Sequence, residues 1–297
     1  MIRALYRLVR YLPLKRRTRL HRHMARLGLE HSLSRYKRFE YRHDGRRIAV
    51  DVSDHVGREM FKHGWYELAY VEFIRKYFGD SERQFVDVGA NVGNYSLALA
   101  PHYAHTAAFE PNPVSFSALE TNLKLNSSLR ITAAPYGLSS VSATLDFYPD
   151  DTNNSGASGF ERHGSDANPI PLKVIPGDEY FGSNETPVAA IKIDVEGHEL
   201  AVVEGLRRTI QRDRPVLFME WHTASMEPYG GLPALTNLLP EEYRLFWSPN
   251  KYEVELAPLK PPYKAKYNLI FCIPEERISD APRGRGSGVQ IINPAAK

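Results

Sequence analysis

The run Phe85-Val86-Asp87-Val88-Gly89-Ala90-Asn91-Val92-Gly93-Asn94-Tyr95-Ser96 constrains this chain more than any other. Gln84–Val88 reads as a short buried strand, Gly89 and Gly93 bracket a turn, and Asn94–Ala100 reads as a helix stopped by Pro101. A strand passing through a glycine turn into a helix opens a parallel sheet, because the return to a parallel neighbour needs a long crossover. Further segments repeat the alternation. Thr106–Phe109, Leu129–Ala134, Val188–Ile193 and Val216–Met219 read as strands, and Tyr243–Trp247 and Asn268–Ile273 as closing strands. Helices are expected over Val114–Leu125, with Phe116, Leu119 and Leu123 spaced for a core, and over His198–Gln211, with Leu200, Val203, Leu206 and Ile210 facing inward. The expectation is a doubly wound, mostly parallel α/β sheet with helices on both faces.

Upstream, Phe39–Val52 alternates like a hairpin turning at Asp44-Gly45, and Trp65–Phe78 reads as a helix with Leu68, Val71, Ile74 and Phe78 on one face. Tyr148–Pro171 is a long segment rich in Asn, Asp, Gly and Ser. A loop of that length in a compact domain serves as a lid or is a surface excursion. Phe147, Tyr148 and Phe160 flank it, and aromatic faces suit sugar rings. The chain's one cysteine, Cys272, lies in the apolar Ile270-Phe271-Cys272-Ile273 and reads as a core residue. The division expected is a basic arm over 1–38, one domain over 39–278 and a disordered tail over 279–297.

The net charge of +3 hides an asymmetry: of 38 basic and 35 acidic residues, twelve and one fall in 1–38, leaving 26 against 34 elsewhere. The body therefore offers phosphate no general attraction, and a nucleic-acid partner is not expected. In the arm, Ile2, Leu5, Val9 and Leu12 share a helical face with Arg3, Arg7 and Arg10 off it, a pattern that suits a membrane surface or packing on the body. Its apolar stretches are too short and too interrupted by arginine for a secretory segment, so the expected location is cytoplasmic, in peripheral contact with a membrane's inner face.

Acids at strand ends narrow the chemistry. A glycine turn at a helix N-terminus suits a nucleotide-type ligand. A dinucleotide site would show G-x-G-x-x-G, whereas here the spacing is Gly89-x-Asn91-x-Gly93, with Asp87 at the strand end where it would repel a diphosphate. The same carboxylate suits a ligand with a cationic amino group, such as the methionine part of S-adenosylmethionine (SAM). Glu110, in Phe109-Glu110-Pro111-Asn112, ends the next strand and is placed for ribose hydroxyls. Ile191-Lys192-Ile193-Asp194-Val195-Glu196-Gly197-His198-Glu199 and Phe218-Met219-Glu220-Trp221-His222 end two further strands in acids and histidines. These groups should converge at the ligand's reactive end.

At these residues the chain resembles the FkbM family of SAM-dependent methyltransferases. The resemblance rests on Trp65-Tyr66-Glu67, the Asp87–Gly93 run, Phe109–Asn112, Ile191–Glu199, Pro215–Glu220 and Tyr267–Phe271, and covers about 60–275. It implies a seven-stranded, Rossmann-like class I sheet, SAM as cofactor, and O-methylation of a sugar, glycan or natural-product hydroxyl. The cofactor-binding set is then Glu67, Asp87, Gly89, Asn91, Gly93, Asn94, Glu110 and Asn112. Family members often carry Ala-x-Ser-Asp after the third strand. Here the run is Ala134-Pro135-Tyr136-Gly137, so the adenine-side contacts do not carry over.

Methyl transfer needs an aligned acceptor and a route for its proton. Asp194 is expected nearest the methyl group, and Asp194, Glu196, His198 and His222 are the candidate bases. Asp194, Glu220 and His222 have donor types that suit a divalent ion, but no tight ligand spacing accompanies them and no metal is expected. The rival readings are an NAD-linked oxidoreductase and a non-catalytic, membrane-associated SAM-fold protein.

Overall fold

A computed structural model describes residues 38–149, 159–160, 168–183, 185–248, 254–259 and 269–280. The arm up to residue 37, the tail beyond 280 and most of the polar loop lie outside the described residues. The chain opens with β1 (Arg38–His43) and β2 (Arg46–Asp51), an antiparallel hairpin whose two-residue turn puts Asp44 at φ 48° and Gly45 at φ 77°. Both are left-handed, as the tightest hairpin turn requires. Helix α1 (His55–His63) follows, unanticipated from the sequence; Asp54 caps it by accepting from the Gly57 N–H at 3.0 Å, and it buries Val56, Met60 and Phe61. Helix α2 is Leu68–Phe78, three residues shorter at its start than the pattern suggested, because Glu67 turns left-handed (φ 52°).

The main body comprises β3 (Asp80–Val88), α3 (Asn94–Leu99), β4 (Tyr103–Phe109), α4 (Pro113–Leu125), β5 (Ile131–Ala134), β6 (Gly137–Ser139), β7 (Ala143–Phe147), β8 (Ile170–Pro176) and α5 (Gly177–Phe181). It continues with β9 (Val188–Ile193), α6 (Glu199–Gly205), α7 (Arg207–Asp213), β10 (Val216–Glu220), α8 (Thr223–Met226), α9 (Gly231–Leu238), β11 (Tyr243–Trp247), β12 (Ala257–Pro258) and β13 (Leu269–Pro274). The principal sheet has the order β12-β11-β13-β10-β9-β3-β4-β5. β10, β9, β3, β4 and β5 run parallel, and β13, β11 and β12 complete the edge antiparallel. Among the described residues seven strands carry the sheet, and the two-residue β12 adds an eighth at the rim.

Strands of this sheet are buried on both faces, so alternate residues feed two cores. Phe85, Val216, Phe218 and Phe271 face α2 and α3, whereas Val86, Val88, Leu217, Met219 and Cys272 join the core that includes Val202, Val203 and Ile210. Phe85 and Phe218 stack at 6.0 Å across β9, where Phe85 stands opposite Ala190 and Phe218 opposite Lys192. From β3 the chain proceeds outward to β4 and β5, then returns to β9 on β3's other side. That reversal leaves a crevice at the carboxyl ends of β3 and β9.

Two expectations change. The helix anticipated over His198–Gln211 is two helices, broken at Leu206. A side chain at Gly205 would put its Cβ 1.8 Å from the Ser139 carbonyl, and Asp178 accepts from the Arg208 and Thr209 N–H groups, capping α7 from outside. The polar segment expected to run to Pro171 ends earlier: β8 begins at Ile170 and pairs antiparallel with β7, and β6 completes a second sheet of order β6-β8-β7.

Candidate active site

Four parallel strands deliver one acid each to the crevice: Asp87 at the end of β3, Glu110 after β4, Asp194 after β9 and Glu220 at the end of β10. The turn after β3 reaches the turn after β9 through Gly89 (φ 78°), where any Cβ would fall 1.8 Å from the Asp194 carbonyl oxygen. Asn91 is left-handed at φ 49° and its N–H donates to Glu110 Oε2 at 2.8 Å; the Asn112 N–H donates to Oε1, also at 2.8 Å. Burial nonetheless dominates and pushes the Glu110 carboxyl up to about 7. Asp87, 1% exposed, accepts from the Ser96 N–H at 2.9 Å and the Ser96 hydroxyl at 2.5 Å, tying the strand end to the first turn of α3. Burial raises its pKa, opposed by Lys192 and these bonds.

The Trp65-Tyr66-Glu67 segment is fastened to the same helix start. The Asn94 side chain accepts from the Tyr66 N–H at 2.9 Å and donates to the Tyr66 carbonyl at 3.1 Å, and the Tyr95 hydroxyl donates to Glu67 at 2.7 Å. On the other side, Lys192 Nζ lies 2.9 Å from Asp194 Oδ2. Burial opposes the Asp194 charge, but Lys192, a hydrogen bond from Glu220 and His222 together outweigh it and hold Asp194 below the ordinary carboxylate range. Glu199, 3% exposed, accepts from the Gly197 and Val195 N–H groups and closes the turn around left-handed Glu196 (φ 50°). Burial and the neighbouring Asp194 push Glu196 up to about 9 and Glu220 up to about 8. His222 Nε2 lies 3.2 Å from Glu220 Oε1, a contact that raises the imidazole's pKa. Ligand atoms of Glu196, Glu220 and His222 lie within 4.8 Å of one another, whereas Asp194 is engaged by Lys192. Burial and then repulsion keep protons on Glu196 and Glu220 at neutral pH, beside an imidazole whose pKa is raised by Glu220.

These groups line a cavity of ≈ 360 Å³. Of the residues expected at the site, Asp87, Gly89, Asn91, Asn94, Glu110, Asn112, Asp194, Glu196, Glu220 and His222 line it. Glu67 and Gly93 stand behind the wall: Glu67 holds Tyr95, and Gly93 (φ 92°) starts α3. His198 lies outside the cavity. The turn at Glu196-Gly197 carries its ring to β6, where Nε2 is 2.9 Å from Ser139 Oγ, and to the Phe160 ring at 5.1 Å. Phe147 and Phe160 do reach the cavity wall, with ring centroids 5.4 Å apart, and Gly159 packs against the Glu196 backbone. Sequence reasoning passed over Lys192, His55, Tyr66 and Ser115, which also line it. For Lys192 a signal exists: it is the lone charge in the strand Val-Ala-Ala-Ile-Lys-Ile. His55 and Ser115 carry no local mark, since only the tertiary fold brings α1 and α4 to the crevice.

Fold and site define a doubly wound α/β protein whose ligand crevice, edged by carboxylates, opens at the point of strand reversal. The chain belongs to the FkbM methyltransferase family: the Methyltransferase FkbM domain matches residues 87–241, more than half of the sequence. The hexuronic acid methyltransferase AglP of Haloferax volcanii is 34% identical over 143 residues, 47% of this chain and 57% of that protein. The chain thus spans little more than half the length of that relative. Methyltransferase sdnD of Sordaria araneosa is 27% identical over 241 residues, covering 68% of this chain and 88% of that protein. Among solved structures, methyltransferase FkbM from Methylobacillus flagellatus superposes with a TM-score of 0.46 at 20% identity, over 73% of this chain and 52% of that one.

Proposed function

We propose that this chain transfers a methyl group from SAM to a hydroxyl oxygen of a sugar, glycan or related natural product, and that residues 39–278 form the methyltransferase domain. The observation that carries the proposal is the convergence of Asp87, Glu110, Asp194 and Glu220, from four adjacent strand ends, on one cavity beside the Gly89 turn. The donor set fits the cofactor: carboxylates attract a cationic sulfur and amino group, Glu110 suits ribose hydroxyls, and the turn at Gly89 admits close backbone approach. When bound, SAM supplies an electrophilic methyl carbon. Gly89, Asn91 and Gly93 shape its loop, Asp87 orders the methionine end, and Asn94, Asn112 and Glu67 brace these groups through the hydrogen bonds above. His222, whose Nε2 lies 3.2 Å from Glu220 Oε1, would take the proton that the acceptor hydroxyl gives up. His198, bonded to Ser139, takes no part in proton transfer.

The sugar reading draws support from the printed activity of the Haloferax volcanii relative and from Phe147 and Phe160 on the cavity wall. Among the described residues no helix is long and apolar enough to cross a membrane. We place the protein in the cytoplasm, with the basic arm of residues 1–38 resting on an anionic inner membrane surface. Incubating the protein with methyl-labelled SAM and a cell extract tests the function. Label recovered in a glycan or small-molecule fraction supports it, and label confined to nucleic acid, or no transfer, refutes it.

A further inference from the structure

Lys192 is the penultimate residue of β9, in an otherwise apolar strand, and is 1% exposed. A buried ammonium is tolerated only when paired. Its partners all belong to the cavity floor. Nζ lies 2.9 Å from Asp194 Oδ2 and 5.0 Å from the Tyr95 ring centroid. In register, Lys192 stands opposite Asp87 of β3 and Phe218 of β10. Tyr95 in turn holds Glu67. One cation therefore sits beneath three carboxylates supplied by β3, by the end of β9 and by the turn before α2. For stability alone, a well-packed apolar residue serves such a position as well as an ion pair does. The lysine's contribution is the charge pattern it imposes on its neighbours.

We propose that Lys192 is a positioning residue of the methyl-transfer site: its ammonium keeps Asp194 charged and fixed on the cavity wall, so that a permanent negative charge meets the sulfonium. The inference rests on the SAM reading and adds to it a residue that acts through Asp194. The groups facing Asp194 are otherwise mostly acids. Glu196 comes from the turn that follows it, Glu199 from the start of α6, Glu220 from β10, and Asp87 and Glu110 from the ends of β3 and β4. Tyr66 and Tyr95 are held neutral by burial and by these carboxylates, and His222 is the second cationic partner. Without Lys192, the burial of Asp194 is opposed only by the hydrogen bond from Glu220 and by His222, so Asp194 keeps a proton to higher pH and its charge returns as the pH rises.

The test is calorimetric titration of SAM and S-adenosylhomocysteine into wild type, Lys192→Met, Asp194→Asn and the double variant at pH 6.5, 7.5 and 9, with thermal melts of each. The double variant carries neither charge of the pair, so it keeps the test intact if Lys192→Met alone unfolds. Lys192→Met should lose about tenfold or more in SAM affinity at pH 6.5–7.5 and recover at pH 9. Asp194→Asn should be weak at every pH, and the double variant should match it within about twofold, because Lys192 acts through Asp194. Additive losses in the double variant, or a Lys192→Met profile equal to wild type, overturn the inference while leaving the SAM reading in place. Wild-type protein that binds neither ligand overturns both.

Discussion

Glu110 offers a test of how far the cavity is built against the stability of the empty chain. Its carboxyl is 6% exposed, and burial moves its half-titration point from 4.5 to about 7. Between those values the folded chain keeps a proton that the unfolded chain has released, so stability must fall as the pH rises. The contribution is fully present at and below pH 4.5 and lost by pH 7, an interval that amounts to about 3 kcal/mol. Glu110→Gln preserves the shape and one acceptor oxygen and cannot ionise. Its melting curves therefore lack this component, whatever constant offset the amide adds, and the other raised acids, Glu196, Glu199 and Glu220, titrate equally in both chains. Thermal melts of both proteins without ligand at pH 5 and pH 8 should show the wild type losing roughly 6–12 °C relative to the variant over that range. The same substitution should weaken S-adenosylhomocysteine binding by about 10–100-fold, the worth of hydrogen bonds to a charged acceptor. Melting temperatures that run parallel for the two proteins across the range would refute the argument, since Glu110 would then titrate as an ordinary exposed acid.

Three further outcomes are expected. Gly89→Ala, with φ 78° and a Cβ 1.8 Å from the Asp194 carbonyl, should cost at least about 3 kcal/mol in urea melts and abolish cofactor binding, whereas Gly45→Ala, with φ 77° and nothing within 4 Å, should cost only about 1 kcal/mol. His222→Ala should leave S-adenosylhomocysteine affinity near wild type and lower turnover by about 10²–10⁴-fold in a labelled-methyl assay; unchanged turnover removes it from proton transfer. Activity should survive EDTA; loss on chelation that Mn²⁺ restores would give Glu196, Glu220 and His222 a ligand role in place of proton exchange.

Much of the parallel sheet was legible because a strand buried on both faces writes a short apolar run, and a turn at its end writes glycine and acid. Val188–Ile193, Tyr243–Trp247 and the Asp44-Gly45 hairpin turn stand where the pattern put them. The acids at the ends of β3, β4, β9 and β10 were legible for the same reason: each stands where an apolar run gives way to a turn. What stayed illegible depends on distance in space. α1 is short and strongly polar on one side, β7 and β8 are only half-buried, and the break at Leu206 comes from Gly205 meeting Ser139 and Asp178 capping α7, contacts between segments far apart in sequence. His198 shares a motif with Asp194 and Glu196, yet two positive-φ residues, Glu196 and Gly197, turn it to the other side of the loop. Lys192 was visible as a charge among apolar neighbours, but its meaning came only from the strand order, which sets it opposite Asp87, a residue more than a hundred positions earlier. Residue type and spacing determined which chemistry this chain can hold. Packing of distant strands decided which of those groups face one another, because charge and burial act through space and not along the chain.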